Sequence, residues 1–83
     1  MSYGLFILRS AQKELADLPA DIYEKVKSKI SALSSNPRPA GSKKLIGRPG
    51  WRIRVGKYRV IYEINDRQKM ILILDIGHRR DIY

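Results

Sequence analysis

The stretch Trp51 to Tyr62, WRIRVGKYRVIY, reads as a β-hairpin. Two runs rich in β-branched and aromatic residues flank Gly56-Lys57, and a glycine in the first of two turn positions is what a type II′ turn requires. That turn sets the register: Val55 faces Tyr58, Arg54 faces Arg59, Ile53 faces Val60, Arg52 faces Ile61 and Trp51 faces Tyr62. Successive side chains of a strand point to opposite faces. Trp51, Ile53, Val55, Tyr58, Val60, Tyr62 and Ile64 therefore share one face, which is the core. Arg52, Arg54 and Arg59 share the other. Like charges directly opposite one another destabilise a sheet, by roughly 0.2–1 kcal/mol relative to a neutral pair. An anion seated on that face accounts for the arrangement; arginines that merely keep the chain soluble are the plainer alternative.

Beyond the hairpin, Asp66-Arg67-Gln68 is the next turn and residues 69–76 form the last strand. A three-residue loop sets Asn65 opposite Lys69, Ile61 opposite Ile73 and Arg59 opposite Asp75, with Met70, Leu72, Leu74 and Ile76 in the core. This strand is apolar on both faces, as a central strand is. Before the hairpin, Lys43 to Ile46 is a short strand or extended segment, and Gly47 to Gly50 is a turn. The proline-rich NPRPAGS (Asn36 to Ser42) is a loop.

The N-terminal half is helical after a first strand, Tyr3 to Leu8. Ser10 is placed to cap a helix whose Ala11, Leu15 and Leu18 fall on one face. Pro19 ends that helix or opens the next, and Asp21 with Glu24 resembles a capping box. Ile22, Val26, Ile30 and Leu33 then recur at helical spacing to about Ser34, with Lys25, Lys27 and Lys29 on the wet side. The expected fold is α+β: two N-terminal helices packed on a mainly antiparallel four-stranded sheet, in the order β-α-α-β-β-β, with the opposite sheet face open and basic.

Composition narrows the function. The 83 residues suit one domain with a modest core, 43% of them being hydrophobic. There is no cysteine, which removes disulfides and thiolate metal sites and fits a reducing cytoplasm. The longest apolar run, Met70 to Leu74, is too short to span a bilayer, and no signal-peptide pattern stands at the N-terminus. The net charge of +9 is uneven: residues 1–37 hold five Lys/Arg against four Asp/Glu, and residues 38–83 hold twelve against four. Nucleic acid is the first partner this implies, an acidic protein the second and an anionic membrane a distant third.

The arginine face suits phosphodiester chemistry. Arg52, Arg54 and Arg59, joined by Arg79 after the last strand, would hold a phosphate with planar forks that never deprotonate. Tyr83 offers a ring to stack on a base. RNA carries its own nucleophile, the ribose 2′-OH, so cleavage needs alignment, charge stabilisation and two proton transfers. Arginine is a poor acid or base, which leaves His78, on the same side by this reading, with Asp75, Glu63 and Tyr83 as candidates. Lys43, Lys44, Arg48 and Arg80 extend the anion path as substrate-binding residues. One histidine and well-separated carboxylates make no recognisable ligand set, so neither metal nor other cofactor is expected.

The stretches RIRVGKYRVIYEI and LDIGHRRDIY, with the LPADIYEKVKSKI helix and the NPRP loop, resemble the RelE toxins of the RelE/ParE toxin–antitoxin superfamily along essentially the whole chain. The resemblance implies a single toxin domain over residues 1–83 with a microbial-ribonuclease-like fold. It implies ribosome-dependent cleavage of mRNA in A-site codons by metal-free 2′-OH attack. By the same resemblance Arg52 and Arg54 activate the 2′-OH and stabilise the phosphate, and Arg59 binds the scissile phosphate. Arg79 would support the leaving group, Tyr83 would orient the substrate, and His78 would take an acid–base task. Arginine stands at positions 52 and 54 where the best-known members have lysine. A small acidic RelB-like antitoxin is implied as partner, with operator DNA bound only through the toxin–antitoxin complex. The alternative within the superfamily is a ParE-like inhibitor of DNA gyrase with no nuclease activity.

Overall fold

The computed structural model describes residues 2–78. Its elements run β1 (Gly4–Ile7), α1 (Arg9–Ala16), α2 (Ala20–Leu33), β2 (Lys43–Lys44), β3 (Trp51–Val55), β4 (Tyr58–Asn65) and β5 (Met70–His78). The strands form one sheet in the order β1-β5-β4-β3-β2. The α+β class and the two helices over one sheet face stand as the sequence implies. The sheet has five strands rather than four, because Lys43 and Lys44 pair with Arg52 and Trp51. It is mixed, since β1 runs parallel to β5, from Gly4 beside Met70 to Ile7 beside Ile73.

The β3–β4 hairpin has the expected register at all five pairs. Gly56 takes φ 61° while Lys57 keeps a negative φ, the combination that defines the type II′ turn. Its inner face meets α1 and α2: Ile53, Val55, Val60 and Tyr62 are buried with Ala11, Val26, Ile30 and Leu33. Trp51 and Ile64 pack at the margin of this core. Tyr62 is wholly enclosed, and its hydroxyl donates to the Pro37 carbonyl at 2.7 Å. Burial disfavours the phenolate and pushes the Tyr62 pKa up to about 12.

Two registers differ from the sequence reading. The β4–β5 loop holds four residues, so Asn65 lies opposite Met70 rather than Lys69. Asn65 fixes this turn by accepting the Gln68 N–H at 2.9 Å, and Lys69 closes it at φ 55°. The pairing then puts Ile71 and Ile73, not Met70 and Leu72, in the core. Further along, Tyr62 faces Ile73 while Ile61 faces Asp75, so Leu74 is the extra residue of a β-bulge. The bulge reverses the phase, which returns Ile76 to the core in place of Leu74 and sets Arg59 opposite Gly77, not Asp75. The Ile76 N–H lies past the end of β1, and Glu14 of α1 accepts it at 3.1 Å.

The expected helix caps do not form. Helix α1 starts at Arg9 with Leu8 at its N-cap, so Ser10 is already inside the helix. The Gln12 amide donates instead to the Ile7 carbonyl at 2.9 Å. In α2, Pro19 (φ −55°) is the N-cap and no side chain caps the end. Asp21 falls in the first turn, where a negative charge complements the helix dipole.

The sheet face away from the helices is divided. It is basic over β2, β3 and the start of β4. Towards β1 it is apolar, with Phe6 half-exposed beside Leu72.

Candidate phosphate-binding cleft

The strand registers assemble the basic cluster. Lys43 of β2 stands beside Arg52 of β3, and Arg54 of β3 stands opposite Arg59 of β4. These four cations, with Gly41 and Ile53, line a cleft of about 270 Å³. They are not equally open. Arg54 and Lys43 are exposed, Arg52 is half-buried and Arg59 is only 8% exposed. Arg59 thus forms the floor of the cleft rather than part of an open surface, which corrects the expectation of an open face at this position. A cation held this deep acts in a lower dielectric, where its pull on a phosphate oxygen is stronger than in water.

Alternation along the strands decides which other candidates share the site. Lys44 pairs with Trp51, so it points to the opposite face from Lys43, and its Nζ lies 5.8 Å from the Trp51 ring centre. Asp75 lies opposite Ile61 and is on the arginine face, one diagonal step from Arg59. His78 lies opposite Tyr58 and meets that ring edge-on at 5.6 Å. It therefore sits across the sheet from the arginines, in phase with the buried Ile76 two residues before it, contrary to the expectation that it would reach their side. Glu63 is at the far end of β4, and Arg48 is exposed in the β2–β3 turn, away from the cleft lining. Arg79, Arg80 and Tyr83 lie outside the described residues. No three His, Asp or Glu side chains among the described residues gather as a metal site.

Residues 5–83 match the family described as "ParE toxin of type II toxin-antitoxin system, parDE". The RelE1 protein of Methanocaldococcus jannaschii is 33% identical over 87 residues, spanning 100% of this chain and 97% of its own length. The chain belongs to the RelE/ParE superfamily of type II toxins. Within it the similarity is to RelE-type members: the toxin RelG of Mycobacterium tuberculosis is 32% identical over 87 residues, with 100% and 98% of the two chains covered. The archaeal RelE–RelB complex from Pyrococcus horikoshii OT3 superposes with a TM-score of 0.85 at 32% identity, over 98% of this chain and 99% of that one.

In this RelE-type toxin the loop before β2 is part of the cleft, and sequence reasoning missed how it is held. Arg38 forms a two-pronged ion pair with Asp66 of the β4–β5 turn, the shorter contact being 2.8 Å. The Tyr3 hydroxyl donates to the same carboxylate at 2.7 Å. These two donors hold the Asp66 carboxyl well below the usual range, at about 2. The Arg38 guanidinium also lies 5.1 Å from the Trp51 ring centre. A carboxylate in a turn and an arginine between two prolines give no local cue that they meet. Their pairing is a property of the folded chain.

Proposed function

We propose that this toxin is a ribosome-dependent mRNA endoribonuclease that cuts A-site codons by attack of the ribose 2′-OH, without metal. The observation that carries the reading is the convergence of Lys43, Arg52, Arg54 and Arg59 on one cleft from three adjacent strands. A phosphodiester in that cleft is met from several directions. In-line attack builds negative charge on the non-bridging oxygens, and fixed guanidinium donors stabilise it without reorganising. Arg59 grips the scissile phosphate from the floor, while Arg52 and Arg54 serve the 2′-OH and the phosphate from the rim. Arg79 and Tyr83 complete the site in this proposal, by supporting the leaving group and orienting the substrate. Nothing in this chemistry requires a cofactor.

The partners follow from charge and from the relatives. A net charge of +9 suits mRNA on the ribosome, and equally a small acidic antitoxin. The Pyrococcus horikoshii relative was solved as a complex with RelB. A RelB-like antitoxin is the proposed partner here, with operator DNA reached only through that complex. No helix among the described residues is long and apolar enough to cross a membrane, and action on ribosomes would put the protein in the cytoplasm.

The ParE description of the matching family favours a second reading, inhibition of DNA gyrase with no nuclease step. A gyrase binder has no use for a phosphate cleft, and the relatives above carry RelE-type names. One experiment separates the two. A defined mRNA is translated with added toxin and its 5′ ends are mapped. Cuts within A-site codons are expected, and Arg59→Ala should reduce their rate by roughly 10²–10³-fold, the usual loss for one transition-state donor. Inhibited supercoiling with intact mRNA would make gyrase the target instead.

A further inference from the structure

The phosphate cleft continues into a second lobe. This lobe, of about 170 Å³, runs between the C-terminal half of α2 and the loop before β2, and shares Gly41, Ile53 and Arg54 with the first. Its walls are small and apolar: Ala32 on one side, Pro39 and Ala40 on the other, with Ile53 beneath. Lys29 stands at one rim and Arg54 at the junction, and among the described residues no carboxylate lines either lobe. Gly41, common to both linings, holds φ 92°, and a Cβ there would meet nothing within 4 Å.

The wall is built in advance of any ligand. The Arg38–Asp66 ion pair, the Tyr62 hydroxyl on the Pro37 carbonyl and the Ser42 N–H on the Pro39 carbonyl (2.9 Å) all fix the same loop. An apolar-walled lobe of about 170 Å³ beside a phosphate grip, with Lys29 and Arg54 in its lining, matches one nucleobase and its flanking phosphates. An acidic side chain would find cations only at the rims and an apolar interior it could not hydrogen-bond.

We infer that this second lobe is a nucleobase subsite for the nucleotide adjoining the scissile phosphate, with Arg54 bridging the phosphates on either side. The inference rests on the nuclease reading above and adds to it where the neighbouring base goes. Stacking and packing of a base are tolerant of sequence, so the subsite acts on rate and register more than on codon identity.

The test uses ribosomes programmed with mRNAs in which each A-site base is removed in turn, with single-turnover cleavage measured for the wild type, Ala32→Leu and Ala40→Leu. Both variants narrow the lobe from opposite, exposed walls and leave the arginines in place. In the wild type, one abasic position should slow cleavage about tenfold. In each variant the intact mRNA should already be slowed about as much, and the same abasic position should add nothing. If the abasic penalty survives narrowing of the lobe, the subsite is refuted while the nuclease reading stands. If narrowing weakens capture of a RelB-like antitoxin and leaves cleavage untouched, the lobe belongs to the antitoxin and the inference falls. If the wild type cuts no mRNA on ribosomes, the nuclease reading itself fails and takes the subsite with it. Should one variant not fold, as judged by its thermal transition, the other decides.

Discussion

The two faces of the β3–β4 hairpin come from alternate residues of one segment and obey opposite physics. On the inner face Ile53, Val55, Val60 and Tyr62 are buried against the helices, and their position is dictated by apolar area removed from water. On the outer face Arg54 and Arg59 stand directly opposite each other, an arrangement that costs stability. The strand's two-residue period lets one segment serve both ends. Half of its side chains hold the fold together, and the other half hold charge together against repulsion.

Variants can test how cleanly the faces divide. The largest effect belongs to the inner side. Ile73→Ala removes a fully buried side chain from β5, which shares its core with the hairpin's inner face, and should lower stability by about 2–5 kcal/mol, read from urea unfolding. Specific activity of the fraction that remains folded should be unchanged. On the outer face the sign reverses. Arg54→Ala relieves the pairing with Arg59 and should leave stability equal or raise it by roughly 0.2–1 kcal/mol, while A-site cleavage falls. A variant that lost both stability and activity would show that the faces are not separable at this position.

The smallest effect concerns the loop that walls the cleft. The folded pKa of Asp66, about 2, lies below its ordinary value of 3.8. Its contribution is therefore complete above about pH 4 and is lost as pH falls through about 2. Trp51 lies under Arg38, the partner of Asp66, so its fluorescence should report the release in that window. Asp66→Asn should lack the step.

The sequence was most legible where one face is apolar and the other is not. The hairpin register and the faces of both helices follow from such alternation, together with the turn glycine at position 56. Legibility failed in β5, because MILIL offers an apolar side chain in every phase. A bulge at Leu74 and a loop one residue longer leave no trace in such a run. That single ambiguity is what moved Asp75 from opposite Arg59 to opposite Ile61. The gathering of Arg52, Arg54 and Arg59 on one face could be read, since they lie on strands whose register was readable. Arg38 and Asp66 were missed because their contact spans distant segments and depends on the loop's path. The parallel seating of β1 was missed for a related reason: a short apolar strand does not say which partner it will find.

That seating of β1 bears on how the toxin matures. The first strand's neighbour is the last one, and Tyr3, Leu5 and Ile7 reach the core only alongside Ile71 and Ile73. A nascent chain that stops short of Met70 has no berth for its own beginning and no β5 to stand between β1 and β4. Closure is an end-to-end event with high loop entropy, so assembly should be late and all-or-none rather than stepwise. A truncated product would then be an inert polypeptide instead of a partly armed one.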